Sequence, residues 1–249
     1  MKYLIENCAG SALSALRAQE GGAQRVELCA ALSEGGLSPS YGEVKLARRL
    51  IDIKLHVLVR PRSGDFLYSP LEEELMLEDI RQYLALGVDG FVLGALTPEG
   101  DVDCPLMERL IRATEGRPVT FHRAIDMCRD PLEALEDIIA LGCQRVLSSG
   151  AALTALEGAP LLRQLVERSA GRIHVMPGGG ITPENIQQVA LETGAHELHL
   201  SARSPVASAM RYRNPRVSMG GGDSVDEYAQ LLTDPSKIRA ARLALEQLP

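Results

Sequence analysis

Two cysteines stand at the ends of the first two predicted β-strands. Cys8 closes an apolar segment that begins at Tyr3, and Cys29 closes one that begins at Arg25. Neighbouring strands lie about 4.8 Å apart, so the two sulfurs can approach each other or share an ion. Thiolates suit Cu(I) best among the common metals. The pair predicts a Cu(I) site, and the alternative is that both are buried as small apolar side chains.

Two loops carry groups that bind anions. The segment Arg60–Phe66 places two guanidiniums around a stiff proline, and guanidiniums hold planar anions with paired hydrogen bonds. A later glycine run leads into a predicted helix, and free backbone amides with the helix dipole favour an anion there. The alternative is that the glycine run is only a turn. The predicted anion-binding residues are Arg60, Arg62, Gly178, Gly179, Gly180 and Ser201.

Acid–base groups lie in or directly after two of the predicted strands. His122 ends the fifth predicted strand, and we expect it to act as general acid or base, with Glu27 as the partner that orients or charges it. Asp126, four residues further on, completes the candidate catalytic set. The alternative for Glu27 is a structural ion pair with Arg25 inside the fold, since buried charges are rarely left unpaired.

Short apolar strands alternate with amphipathic helices along the whole chain. The predicted strands are Tyr3–Cys8, Arg25–Cys29, Ile53–Arg60, Gly90–Leu93, Pro118–His122, Arg145–Ser148, Ile173–Met176 and Glu197–Ser201. The predicted helices are Ser11–Glu20, Tyr41–Leu50, Leu71–Leu86, Leu132–Leu141, Leu161–Ser169, Pro183–Thr193 and Ser236–Leu248. Repetition of strand and helix at this spacing is typical of right-handed βαβ crossovers.

Eight such units in 249 residues predict a (β/α)8 TIM barrel of the α/β class, formed as a single domain over residues 1–249. The stretch 204–222 is the least regular, and we expect it to be a long loop after the last strand. A doubly wound open sheet is the alternative fold, but the chain has neither a G-x-G-x-x-G after its first strand nor a Walker A loop.

The alternation of side chains within the strands indicates which face turns into the barrel. In the second strand Arg25, Glu27 and Cys29 share one face, and Val26 and Leu28 share the other. The last strand likewise groups polar side chains, namely Glu197, His199 and Ser201. Because helices cover a parallel barrel from outside, the apolar set must face outward and the polar set inward. Polar groups at the carboxyl ends of the strands then lie at the barrel mouth, where barrel enzymes carry their chemistry.

Composition excludes several classes of protein. There are 26 Lys and Arg against 33 Asp and Glu, a net charge of -7, which argues against a nucleic-acid-binding protein. No apolar run approaches the roughly 18 to 20 residues that a membrane helix needs, and no signal peptide is apparent. The five cysteines are odd in number and form no C-x-x-C pair. These features predict a cytoplasmic protein with reduced thiols and no membrane partner.

Several long motifs, in a consistent order, resemble the CutC copper homeostasis family. They are Arg25–Cys29 with Ser33–Ser40, Arg60–Phe66, Thr120–Met127, Arg145–Gly150, Met176–Gly180 and Met210–Asn214. The resemblance extends over essentially the whole chain. It implies a cytosolic TIM-barrel protein that binds copper and is commonly a homo-oligomer.

Two functional hypotheses follow. In the first, the protein binds copper as Cu(I) through Cys8 and Cys29 and serves copper homeostasis. In the second, it is an enzyme whose ligand is a small phosphorylated or carboxylated metabolite, held by the predicted anion-binding residues near His122. The polar barrel interior argues against a purely structural role.

Overall fold

A computed structural model describes residues 3–217 and 226–248. Its main sheet has eight parallel strands, and two further strands form a separate antiparallel pair. The strands are β1 Leu4–Ala9, β2 Arg25–Leu28, β3 Lys54–Leu58, β4 Gly90–Leu93, β5 Val119–Phe121, β6 Arg145–Ser148, β7 His174–Pro177, β8 Glu197–Leu200, β9 Arg203–Ala207 and β10 Ala229–Thr233.

Helices alternate with the strands of the main sheet. They are α1 Ala12–Gly21, α2 Tyr41–Leu50, α3 Pro70–Ala85, α4 Cys104–Ala113, α5 Pro131–Ala140, α6 Ala159–Ser169, α7 Ile186–Thr193 and α8 Pro235–Glu246. Helix α4 is additional to the predicted ones. Its start carries recognisable signals, because Asp103 caps the Leu106 amide and Pro105 occupies the first turn. Among the described residues, no helix has both the length and the apolar character that a membrane crossing requires.

The strands follow one another around a closed barrel. Strands β1 to β7 pair in chain order, β8 pairs with β1, and a parallel bridge between Gly178 and His199 joins the β7 and β8 sides. The described chain thus forms a (β/α)8 TIM barrel, as the strand count predicts.

The segment after β8 differs from its prediction. Residues 204–207, expected to begin a long loop, lie in β9, which pairs antiparallel with β10. The residues from 208 to 217 are irregular, and 218–222 lie outside the described residues. Strand β9 is largely exposed, so it lacks the continuous apolar run that makes a buried strand visible in sequence.

The predicted parity of the strands is confirmed. Val26, Phe121 and Leu198 belong to the apolar core between sheet and helices. The opposite set fills the lower barrel with charges. Arg25 bridges Glu6 and Glu197, and Arg145 also binds Glu197, with its Nε 2.5 Å from Oε2. We call Glu6, Arg25, Arg145 and Glu197 the lower ion network. Within it Arg25 has the structural role considered for it above.

Candidate functional site

A pocket of about 700 Å³ opens at the carboxyl ends of the strands, and we call it the mouth pocket. Five strands of the main sheet, β1, β2, β3, β6 and β8, contribute lining residues. The rim comes from the loops after β2, β3, β5, β7 and β8. The lining residues that bear on chemistry are Cys8, Glu27, Arg60, His122, Arg123, Gly179, Gly180, Glu184, His199, Ser201, Arg203 and Lys237.

The two predicted thiols are in contact, and one of them, Cys8, lines this pocket. Cys8 Sγ and Cys29 Sγ lie 3.6 Å apart, both are buried and neither forms a disulfide. Leu58 and Val92 pack around the pair, which stands apart from the main apolar core. The hydrogen bond with Cys29 and then burial raise the pKa of the Cys8 thiol well above its usual value. At neutral pH Cys8 is therefore protonated, and any metal it binds must displace that proton.

Glu27 lies beside Cys8 without a full set of partners. Its Oε1 is 3.7 Å from Cys8 Sγ, and its Oε2 has no hydrogen-bond partner within the described chain. Burial raises the pKa of Glu27 to about 7. The structure thus gives Glu27 no role in the lower ion network, in contrast to Arg25.

His199 completes this cluster, and its participation was not predicted. The donor atoms of Cys8, Glu27 and His199 all lie within 4.8 Å of one another. The ring Nδ1 is 2.8 Å from Glu6 Oε1. Burial opposes a charged ring, but the hydrogen bond with Cys8, the charge of Glu27 and the hydrogen bond with Glu6 hold the pKa of His199 well above its usual value. The inward parity of the last strand was the available signal.

His122 lines another part of the pocket. Its Nδ1 accepts a hydrogen bond from the Ala124 amide at 3.2 Å, and its Nε2 has no partner among the described residues. The ring packs against Phe66, with centroids 4.9 Å apart. Burial and then the nearby Arg60 charge lower the pKa of His122 to about 3, so the ring is neutral at pH 7. No described hydrogen bond joins it to Glu27, whose contacts are Cys8 and His199.

Asp126 is placed behind the pocket wall and does not line it. Its carboxylate accepts from the Ser148 hydroxyl at 2.6 Å and from the amides of Ser149 and Ala151. It also accepts from Arg123 Nε at 2.7 Å. These contacts organise the loop after β6 and hold Arg123 in place. The geometry favours a positioning role for Asp126.

The two predicted loop arginines are placed differently. Arg60 is buried in the pocket wall, where its guanidinium donates to the carbonyls of Glu34, Gly36 and Gly64. Arg62 points away from the pocket and pairs with Asp65 and Glu72. Its donors also reach the Ser63 and Leu67 carbonyls, so its hydrogen-bonding capacity is already occupied.

The three glycines of the run have different roles: Gly178 permits close packing, and Gly179 and Gly180 line the pocket. The Gly178 amide donates to the Ser148 carbonyl at 2.9 Å, and a Cβ there would stand 2.6 Å from Leu147 Cδ1, so this glycine permits close packing. Gly179 and Gly180 line the pocket with φ of +103° and +68°, which favours glycine. Ser201, which follows β8, also lines the pocket.

The donor set around Cys8 fits a soft metal. Two thiols and an imidazole are the ligands that Cu(I) prefers over harder groups. The Glu6 hydrogen bond fixes the His199 ring through Nδ1 and leaves Nε2 as its remaining ligand atom, the arrangement common around metal-bound histidine.

Comparison with known proteins matches the chain to the CutC family. The sequence model of that family matches residues 3–204. A CutC family protein of Chromobacterium violaceum is 53% identical over 99% of this chain and its own full length. The human copper homeostasis protein cutC homolog is 48% identical, with 95% of this chain and 87% of that protein covered.

Solved structures agree. The CutC crystal structure from Streptococcus agalactiae matches with a TM-score of 0.77 at 37% identity, over 80% of this chain and 98% of that chain. Thiamine phosphate pyrophosphorylase from Pyrococcus furiosus has a TM-score of 0.58 at 19% identity, over 99% of this chain and 96% of that chain, a likeness of fold alone. The chain belongs to the CutC family.

Proposed function

We propose that this protein binds Cu(I) through Cys8 and Cys29 and serves in copper homeostasis. The observation that carries the proposal is the 3.6 Å approach of the two sulfurs, with Cys8 lining an open pocket and Cys29 directly behind it. Copper homeostasis is also the role named for the human relative. Among the common metals, Cu(I) is the one best matched to a thiolate pair.

His199 is the third ligand in this proposal. Its ring lies in the same buried cluster as Cys8 and is oriented by Glu6. Glu27 stands against the site as a carboxyl group rather than a soft ligand, and a hard oxygen donor suits Cu(I) poorly. We therefore assign the metal to two sulfurs and one nitrogen.

A competition titration under anaerobic conditions tests the proposal. Protein purified without chelators is titrated against a chromophoric Cu(I) chelator, alongside the Cys8→Ser and Cys29→Ser double variant. Cys143→Ser is the matched control, because Cys143 is a buried free cysteine outside the mouth pocket. We expect the double variant to lose its competition with the chelator and the control to retain it. Unchanged affinity in the double variant would refute the proposal.

A second candidate function is catalysis on a small phosphorylated or carboxylated metabolite. It is favoured by two buried groups of the mouth pocket, Glu27 Oε2 and His122 Nε2, that lack hydrogen-bond partners within the described chain. Unpaired buried polar atoms are costly, and an oxygen-rich ligand would satisfy them. In this candidate His122 and Glu27 transfer or hold protons on the bound molecule. A metabolite library screened for thermal stabilisation and then for turnover tests it, and a library without hits would eliminate it.

We also propose that the protein is cytoplasmic and homo-oligomeric. Five free cysteines support a reducing compartment, since oxidising compartments favour disulfides.

Exposed apolar side chains on the outer strand pair, Val206 and Leu231, support contact with a second copy. Cell fractionation tests the location. Light scattering coupled to size exclusion tests the assembly, and a mass of one chain at all concentrations would contradict it.

A further inference from the structure

Arg123 lines the mouth pocket, and two hydrogen bonds fix its guanidinium. Its Nε donates to Asp126 at 2.7 Å, and its Nη2 donates to the Ser149 hydroxyl at 2.7 Å. Among the described residues, no acceptor is bound to Nη1. The side chain is about half exposed, and Arg123 lines the pocket. Two anchors therefore fix the plane of the guanidinium, while its third nitrogen remains available to a ligand.

The loop 179–181 passes directly beside this group. A Cβ on Gly179 would stand 3.7 Å from Arg123 Nη1. The Gly179 carbonyl accepts from the Ala155 amide at 2.8 Å, and the Gly180 carbonyl accepts from the Asn185 side chain at 2.9 Å. Each peptide is trans and planar, so its N–H points away from its C=O. The amides of Gly180 and Ile181 therefore point away from the Ala155 and Asn185 groups that bind the preceding carbonyls. Within residues 3–217 and 226–248 those two amides have no acceptor.

Charge in the pocket favours an anion. The lining includes four cations, Arg60, Arg123, Arg203 and Lys237, against two carboxyl groups, Glu27 and Glu184. Arg60 is bound by carbonyls rather than by a carboxylate, so its positive charge is not neutralised by an ion pair, whereas Arg123 shares an ion pair with Asp126 behind the pocket wall. In a chain of net charge -7 the lining of the mouth pocket thus keeps an excess of positive charge.

The buried side chain of His122 indicates that the anion is part of a larger organic molecule. His122 is 5% exposed, lines the same pocket, and has no partner for Nε2 within the described chain. Because Nδ1 accepts from the Ala124 amide, the neutral ring carries its proton on Nε2 and can donate one hydrogen bond there. A hydroxyl or carbonyl oxygen of a ligand would supply the missing partner.

We propose that the mouth pocket binds a small phosphate monoester, with its phosphate between Arg123 and the amides of loop 179–181 and an oxygen of its body on His122. Three terminal oxygens of a phosphate match one guanidinium nitrogen and two backbone amides, whereas a carboxylate has only two oxygens. This inference rests on the second candidate function and names its substrate class. Arg123 replaces Arg62 as the arginine of the site.

Calorimetric titration of the full chain at low ionic strength tests the inference. The probes are inorganic phosphate, glycerol 3-phosphate and glycerate, which is a carboxylate of similar size. We expect glycerol 3-phosphate to bind more tightly than inorganic phosphate, and glycerate to bind most weakly. Arg123→Gln should weaken glycerol 3-phosphate binding at least about tenfold, because a charge-assisted hydrogen bond is lost. Arg62→Gln is the matched control, and its affinity should stay within about twofold of the unmodified protein, a change of under about 0.5 kcal/mol.

A second measurement avoids dependence on the folding of a variant. In amide-resolved NMR spectra of the unmodified protein, glycerol 3-phosphate should shift the Gly180 and Ile181 amides. Unshifted amides, or equal affinity in the Arg123→Gln variant, would overturn the inference. Binding of glycerate alone would also overturn it while leaving the small-anion candidate standing. Failure of all three probes would overturn both, and Cu(I) binding is measured separately.

Discussion

The lower and upper parts of the barrel interior are built from the same strands, but they differ in whether their buried polar groups have hydrogen-bond partners. In the lower ion network, Glu6, Arg25, Arg145 and Glu197 are paired with one another. In the mouth pocket, Glu27 and His122 are buried just as deeply yet retain atoms without partners in the described chain. Burial therefore does not separate these two groups of residues, whereas the saturation of their hydrogen bonds does.

His199 connects the two parts. Its Nδ1 contacts Glu6 of the lower ion network, and the same ring belongs to the cluster with Cys8 and Glu27. The lower ion network thus positions a group of the site above it. The difference between the two regions leads to predictions that can be ranked by free energy.

The largest effect is expected from breaking the lower ion network. Glu197→Gln removes the carboxylate that Arg25 and Arg145 share and leaves two buried guanidiniums poorly compensated. We expect a loss of about 3–5 kcal/mol in the free energy of unfolding. Urea unfolding at pH 7 measures it. A loss below about 1 kcal/mol would mean that the lower ion network does little to stabilise the fold.

Glu27→Gln should increase the free energy of unfolding above neutral pH, whereas Glu197→Gln lowers it. The pKa of Glu27 is about 7 in the folded protein and 4.5 in the reference state. The folded state therefore holds a proton that the unfolded chain has released, so stability declines as pH rises from about 4.5 to 7. The loss is about 3 kcal/mol at most, and the variant should not show it. Urea unfolding across this pH range compares the two.

The exposed carboxylate of Glu34 supplies the control for that experiment. Glu34 also lies near the barrel mouth, but its side chain is exposed to solvent. Glu34→Gln should follow the pH dependence of the unmodified protein. If Glu27→Gln does so as well, burial of the Glu27 carboxyl is not what makes the mouth pocket sensitive to pH.

Cu(I) affinity should rise with pH. Because the pKa of the Cys8 thiol is raised, binding at neutral pH releases its proton. Each released proton changes affinity about tenfold per pH unit, and His199, whose pKa is also raised, must release one to become a ligand. The affinity should therefore rise at least about 100-fold between pH 6 and pH 8, which is about 2.7 kcal/mol. Chelator competition at both pH values measures this change. A Cys143→Ser control should give the same slope, and a flat profile in the unmodified protein would count against Cys8 as a ligand.

Met176→Leu should have the smallest effect. Arg25 Nη2 lies 3.3 Å from Met176 Sδ, but Arg25 keeps both of its carboxylate partners without that contact. A swap of similar volume in the core costs less than about 1.5 kcal/mol. Thermal unfolding measures it, and Cu(I) affinity should not change. A larger loss would place Met176 within the lower ion network.

The residue pattern was sufficient for the fold and for part of the site. Alternation along most of the strands, although not the sixth, predicted the inward polar face, because covering helices require apolar residues outside. It also predicted the meeting of Cys8 and Cys29, because both follow the inward parity at the ends of adjacent strands, although Cys8 is paired in register with Glu27. The helix α4 was missed although Asp103 and Pro105 signal its start, and β9 was missed because an exposed strand has no apolar pattern.

Which partner each polar group takes was decided by the tertiary structure. Arg60 and Arg62 are two residues apart and look equivalent in sequence, yet one lines the pocket and the other is neutralised by Asp65 and Glu72. Glu27 faces His199 rather than His122. A one-dimensional pattern specifies the face on which a side chain lies. Competition among nearby donors and acceptors, brought together only by barrel closure, determines which hydrogen bonds form and which atoms remain free for a ligand.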